Sequence, residues 1–162
     1  MERIFLGLTG EQWTQIGISL LILLGVLALG RWIISFLVDR VFKKLTRHTK
    51  TTLDNAVLDA ARLPLYLLAV VLALNGAVQR LDFLPEDWNK WIAESFFALY
   101  FLVGFVFAWR LITYFFDWYS NEIAKKTDTE LDKQLFPFFK RIALILLSAI
   151  GLITILSHFD VN

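Results

Sequence analysis

The side chains that could do chemistry in this chain are the few charged and amide groups that interrupt its apolar runs. Arg31 and Arg110 lie inside such runs, and Asn75 and Glu94 lie near the ends of two others. A charged group in the hydrocarbon region of a bilayer is costly, so each invites a functional interpretation. Long arginine side chains can also extend to the lipid phosphates. We predict lipid anchoring for the two arginines, a helix–helix hydrogen bond for Asn75, and an interfacial position for Glu94.

Patterns for catalysis or for metal binding do not occur in the sequence. There is no cysteine, which excludes disulfides and thiolate metal sites, and the two histidines, His48 and His158, are far apart. No nucleophile elbow, phosphate-binding loop or pair of mid-membrane carboxylates is present. The net charge of +1 gives no general attraction for nucleic acid. We predict that the chain is not an enzyme and has no metal, no cofactor and no nucleic-acid partner.

The composition favours a membrane protein. Of the 162 residues, 57% are hydrophobic, and the mean hydropathy is +0.61, which exceeds the apolar share of ordinary soluble domains. Four runs approach or exceed the length that a bilayer requires, about 20 residues. We predict an all-α membrane protein with four transmembrane helices, in which the second helix must include Ala56 to Ala61 to span. The apolar runs are Trp13 to Val38, Leu63 to Val78, Ile92 to Phe116 and Leu135 to Leu156.

Two capping boxes mark the predicted starts of the second and fourth helices. Thr129-Glu130-Leu131-Asp132 fits the pattern [ST]-x-x-[DE], and Thr51-Thr52-Leu53-Asp54 has the same form. The threonine hydroxyl can accept from a free amide of the first turn, and the carboxylate lies near the positive end of the helix. The predicted capping residues are Thr51, Asp54, Thr129 and Asp132.

The two capping boxes belong to an internal repeat of 78 residues (131 − 53). The same step relates Trp13 to Trp91 and Asp39 to Asp117, without a gap. We predict a duplication that produces two repeated helical hairpins, residues 1–84 and 85–162. The alternative is two unrelated hairpins with similar interfacial chemistry.

The distribution of lysine and arginine predicts the orientation. Eleven of these residues lie in the segments that follow the first and third helices, and three lie at the other side of the bilayer. By the positive-inside rule, both long loops are cytoplasmic and both termini lie outside, as in a multi-pass protein of the inner or plasma membrane. We predict that membrane lipids contact Arg31, Arg110, Lys140, Arg141, Trp13, Trp32, Trp91 and Trp109 at the two interfaces.

The segment from Thr127 to Asn162 resembles the small-conductance mechanosensitive channel family, the MscS-like proteins. It contains T-x-T-E-L-D-K-Q-L, a proline, the basic pair Lys140-Arg141, an apolar run and L-S-H-F-D-V-N. The likeness is to the helix that precedes the pore helix in that family. The resemblance covers residues 117–162, and residues 1–116 are similar to the additional N-terminal helices of larger members in topology alone.

The resemblance implies the membrane-tension-sensing part of a homo-oligomeric ion channel that responds to osmotic stress, a heptamer by family analogy. In the family, a glycine- and alanine-rich pore helix and a β-rich cytoplasmic domain follow this segment, and neither pattern occurs within these 162 residues. We therefore expect the four helices alone to insert into a membrane without conducting, and ions to be partners only where a pore helix is present. The alternative is a small four-helix transporter or an accessory membrane subunit.

Overall fold

The computed structural model describes residues 3–5, 8–45, 52–122 and 130–159. Two short strands, which the sequence did not predict, pair in antiparallel fashion, with Arg3 opposite Thr9. Four long helices follow them. In chain order the elements are β1 (Arg3–Phe5), β2 (Leu8–Thr9), α1 (Gly10–Leu45), α2 (Thr52–Gln79), α3 (Trp88–Glu122) and α4 (Glu130–His158).

All four helices are long and apolar enough to cross a membrane, so the prediction of an all-α protein with four such spans is confirmed. The span within α2 begins at Ala56, as the short apolar core of that helix required. Side chains along these spans are largely uncovered by protein: Leu21 is 70% exposed and Ile145 is 66% exposed. Such surfaces are stable against acyl chains and would associate in water.

Two helices end later than hydropathy indicated. The predicted apolar runs end at Val38 and Phe116, whereas α1 continues to Leu45 and α3 to Glu122. The acidic residues that directly follow these runs are bonded to the next helix, Asp39 to Arg62 and Asp117 to Lys140. Hydropathy reports where the apolar span ends, whereas a helix with polar partners continues beyond it. The starts of α2 and α4, at Thr52 and Glu130, each follow a predicted capping threonine directly.

The chain divides into two compact units. The first consists of Met1–Leu37 and Leu65–Phe101, and the second of Val38–Pro64 and Leu102–Asn162. Helices α1, α2 and α3 each contribute one segment to both units, whereas α4 lies wholly in the second.

In the first unit, α1 and α2 approach closely at Gly30. A Cβ atom at this position would lie 3.3 Å from Cε2 of Tyr66, so the absence of a side chain creates the room for that ring. The Tyr66 hydroxyl donates to the carbonyl oxygen of Leu27 at 3.3 Å. Small residues at such crossings allow the close backbone approach that drives helix association in lipid.

A second contact joins the same two helices where α2 ends. The buried hydroxyl of Ser19 donates to the carbonyl oxygen of Ala77 at 3.1 Å. The last four carbonyls of a helix have no donor within the helix, and Ala77 belongs to that set because α2 ends at Gln79. Ser19 supplies the donor that the helix end requires.

Candidate functional site

Ion pairs connect consecutive helices at two places in the second unit. Arg62 of α2 donates from Nη2 to Oδ1 of Asp39 in α1 at 2.7 Å. Lys140 of α4 donates from Nζ to Oδ1 of Asp117 in α3 at 2.6 Å. In both pairs the acidic residue precedes the basic residue by 23 positions. We call these the Asp39–Arg62 pair and the Asp117–Lys140 pair.

The two ion pairs occupy equivalent positions in the 78-residue repeat. The step from Asp39 to Asp117 equals the step from Arg62 to Lys140 (117 − 39 and 140 − 62). A comparison restricted to identical residues misses the second match, because one repeat has arginine where the other has lysine. The pattern Asp-x22-Lys/Arg, searched by charge, could have revealed it.

Packing beside the second pair is aromatic. The rings of Tyr119 in α3 and Phe136 in α4 lie 4.3 Å apart between centroids. Lys140, Asp117 and Phe136 also line a small cavity of about 160 Å³ together with Pro137. The carboxylate of Asp117 thus holds the ammonium group of Lys140 against α3, and the two rings pack α3 against α4 beside this pair.

Arg110 directs its guanidinium at the backbone of α2. Its Nε donates to the carbonyl oxygen of Ala60 at 3.1 Å, and its Nη2 donates to that of Asp59 at 2.8 Å. Nη2 also donates to the Tyr114 hydroxyl at 3.0 Å. The guanidinium carbon lies 5.1 Å from the centroid of the Tyr114 ring, within cation–π range.

The four basic residues predicted to anchor lipid have different surroundings. Arg31 and Arg141 are exposed. Arg110 and Lys140 are partly buried and have the protein partners described above. A lipid phosphate would have to share or displace these partners, and contact with phosphate stays a prediction for all four.

The predicted tryptophan anchors are all exposed to some degree. Trp32 and Trp91 are 71% and 72% exposed, whereas Trp13 and Trp109 are 37% and 39% exposed. Trp32 stacks on Phe36 with centroids 6.0 Å apart, and Trp109 lies 6.0 Å from Phe105. Exposed indole rings suit a membrane–water interface, but their contact with lipid stays a prediction.

The capping contacts stay predictions as well. Thr51 and Thr129 lie outside the described residues, as does the side chain of Asp132 within α4. Asp54 is half-buried, and its Oδ2 is buried without a hydrogen-bond partner among the residues that the structure describes.

Asn75 makes the helix–helix contact that the sequence predicted. Its Nδ2 donates to the hydroxyl of Tyr100 in α3 at 3.0 Å, and its Oδ1 accepts from Gln79 at 3.1 Å. Glu94 instead lies 3.7 Å from Lys90, one turn earlier in its own helix. Asn75 is thus bonded to the neighbouring helix α3, whereas Glu94 has its partner within its own helix.

Two further cavities are apolar. One, of about 300 Å³ in the second unit, is lined by eight residues that include Leu53, Val57 and Phe115. The other, of about 240 Å³ in the first unit, is lined by Trp88, Trp91 and neighbouring apolar groups. Across the described ranges, no three His, Cys, Asp or Glu side chains are grouped as a metal ion would need.

Comparison with known proteins gives one relevant relative. No family model matches the chain, and no solved structure matches it significantly. The chain is 30% identical over 148 residues to the small-conductance mechanosensitive channel MscMJ of Methanocaldococcus jannaschii. The aligned region is 91% of this chain and 42% of that protein. The resemblance to the small-conductance mechanosensitive channel family is confirmed.

The MscS-like assignment agrees with the architecture. Four apolar helices and similarity to a channel indicate a multi-pass membrane protein. The sequence motifs of the resemblance lie in residues 117–162. The alignment extends well beyond these residues and includes most of the N-terminal helices. The chain spans less than half the length of this relative.

Proposed function

We propose that these helices form the membrane-tension-sensing region of an MscS-like channel, a homo-oligomer that gates ion flow under osmotic stress. The observation that carries the proposal is the alignment with a mechanosensitive channel, which includes 91% of this chain at 30% identity. The exposed apolar surfaces of the four spans support it, because a tension sensor must present its helices to lipid.

Tension acts on whichever conformation occupies more membrane area. A shift therefore requires a difference in lipid interaction between two states, and tight binding to lipid in both states has no effect. Exposed Trp32 and Trp91 would hold their helices at the headgroups while the bilayer thins. A change in helix tilt would follow and would be transmitted along α4.

We further propose that residues 1–84 and 85–162 are parallel repeats. The matching positions and sequence spacing of the Asp39–Arg62 and Asp117–Lys140 pairs support this proposal. Parallel repeats share one orientation in the membrane, which agrees with two hairpins that both begin outside.

Patch recording tests the proposed function. The protein encoded by the complete reading frame is placed in giant liposomes, and suction is applied up to lysis. Stepwise currents that begin at a reproducible tension are expected, and lipids with shorter acyl chains should lower that tension. Currents that do not depend on tension would contradict the proposal. So would the absence of currents in repeated preparations of folded protein.

The Asn75–Tyr100 contact provides the one observation in favour of a transporter, because polar groups inside membrane spans can bind substrates. Replacement of Asn75 with leucine separates the two functions. A tension sensor should retain its stepwise current in the Asn75→Leu variant, with a shift in threshold at most. Loss of a tension-independent solute flux in that variant would favour the transporter.

Both long loops are expected to be cytoplasmic. A cysteine placed at Ser120, an exposed position near the end of α3, should resist an impermeant thiol reagent added to intact cells. The same cysteine should react after the cells are opened, which shows that it is accessible. A cysteine at Thr46, outside the described residues, should behave alike, and one at Asp87, in the loop before α3, should react in intact cells. These 162 residues contain no cysteine, so labelling of the purified chain reports on the introduced cysteine. Labelling of position 120 from outside would contradict the orientation.

A further inference from the structure

Pro64 leaves a gap in the hydrogen bonding of α2. The helix continues through this proline, which has no amide hydrogen, so the carbonyl oxygen of Ala60, four residues earlier, lacks its donor within the helix. Ala60 is 0% exposed, so water or a headgroup cannot replace the donor. Ala60 also lies within the span that begins at Ala56, where an unsatisfied carbonyl is costly.

Arg110 of α3 supplies the donor. Its Nε lies 3.1 Å from the oxygen of Ala60, and its Nη2 lies 2.8 Å from that of Asp59, the preceding carbonyl. The planar guanidinium presents donors in a fixed fork, which suits two adjacent acceptors better than the single ammonium of lysine does. All of these groups belong to the second unit.

Tyr114 holds the guanidinium in this position. It follows Arg110 by one turn of α3, accepts from Nη2 at 3.0 Å, and places its ring 5.1 Å from the guanidinium carbon. These contacts partly replace the solvation that an arginine loses within an apolar span. Tyr114 of the same helix therefore positions the Arg110 side chain, which donates to the carbonyl oxygen in α2 that lacks a helical donor.

We propose that Pro64 and Arg110 form one conformational device, the Pro64–Arg110 lock. Arg110 takes the place of the amide that proline lacks. It thereby satisfies the Ala60 carbonyl and attaches α2 to α3 at this point. When the guanidinium withdraws, the Ala60 carbonyl becomes free, and α2 can bend or open at that point. This inference concerns the coupling between two helices and does not depend on whether the protein senses tension.

A double-mutant cycle tests the lock. The variants Arg110→Met, Pro64→Ala and the combination are compared with the native chain by thermal unfolding in detergent micelles. In the native background, Arg110→Met leaves a buried carbonyl unsatisfied and should lower the midpoint by at least about 4 °C. With alanine at position 64, the restored amide can donate to Ala60, so the same replacement should cost less than half as much. Equal shifts in the two backgrounds would overturn the proposal.

Arg31→Met provides the matched control. Arg31 is also an arginine within an apolar span, but it is exposed. Its replacement should shift the midpoint by the same amount whether residue 64 is proline or alanine. If Pro64→Ala changes the effect of Arg31→Met as much as it changes the effect of Arg110→Met, the cycle reports a general effect of charge. That result would overturn the lock.

A second measurement covers the case in which Arg110→Met does not fold. The yield of monodisperse protein should then recover when Pro64→Ala is added. Where both variants fold, amide exchange between residues 61 and 68 should be faster in Arg110→Met than in the native chain, and close to native in the double variant. Failure of Pro64→Ala to restore either the yield or the protection would refute the proposal.

Discussion

Replacement of Gly30 with leucine is expected to separate α1 from α2 in the first unit and to destabilise the chain by about 1–3 kcal/mol. A Cβ atom at Gly30 already approaches the Tyr66 ring to 3.3 Å, and the remaining atoms of leucine would have to displace that ring. Movement of the ring would also break the hydrogen bond from the Tyr66 hydroxyl to Leu27. Thermal unfolding of the purified protein in detergent measures the loss.

Gly25→Leu is the matched control, because it adds the same side chain to the same helix. A Cβ atom at Gly25 would meet nothing within 4 Å, so we expect no loss of stability and a small gain in helix propensity. Equal destabilisation by the two replacements would show that α1 responds to bulk in general, and would contradict the specific role of Gly30.

Reversal of one charge in the Asp117–Lys140 pair is expected to detach α3 from α4 near their linked ends. Lys140→Asp would place a second carboxylate near Asp117, where the native atoms are 2.6 Å apart. Two like charges at about 4 Å repel by about 1 kcal/mol in water and about 4 kcal/mol near a protein surface. The effect should approach the upper value more closely than at Arg62, since the Lys140 side chain is 25% exposed and that of Arg62 is 43% exposed.

The reciprocal exchange provides the control. Asp117→Lys combined with Lys140→Asp restores opposite charges and should recover most of the lost stability. The exchange of Asp39 and Arg62 should recover less, because Arg62 also lies 3.4 Å from Asp59, which would repel an aspartate at position 62. Asp117→Lys combined with Arg62→Asp should not recover stability, because those residues belong to different pairs. Recovery by the mismatched combination would show that only the total charge matters.

The number of helices and the family could be predicted because both depend on local features. Three of the apolar runs are long enough to span a bilayer and the second is extended by Ala56 to Ala61, and in lipid a lone segment satisfies its backbone best as a helix. The family resemblance rests on consecutive residues from Thr127 onwards, so no knowledge of packing was needed. The contact of Asn75 was predicted for a similar reason, since an amide in an apolar run requires a partner.

The helix ends were predicted less well because they depend on partners that hydropathy does not register. Asp39 and Asp117 resemble loop residues in a hydropathy profile, but each is bonded to a basic residue 23 positions later and lies within a helix. The contacts of Arg110 likewise could not be predicted from hydropathy. Its sequence position suggested a lipid anchor, and its contacts with Asp59 and Ala60 depend on how α3 is placed beside α2.

The sequence by itself therefore determined that this chain has four helices long and apolar enough to span a membrane, and which channel family it resembles. These properties follow from hydropathy and residue order within single segments. Only the tertiary structure decided that Gly30 packs against Tyr66, that two acidic residues pair across consecutive helices, and that Arg110 donates to the carbonyl oxygen of Ala60. Such partners are tens of residues apart along the chain. Their meeting depends on the rotation and depth of whole helices, which no local pattern specifies.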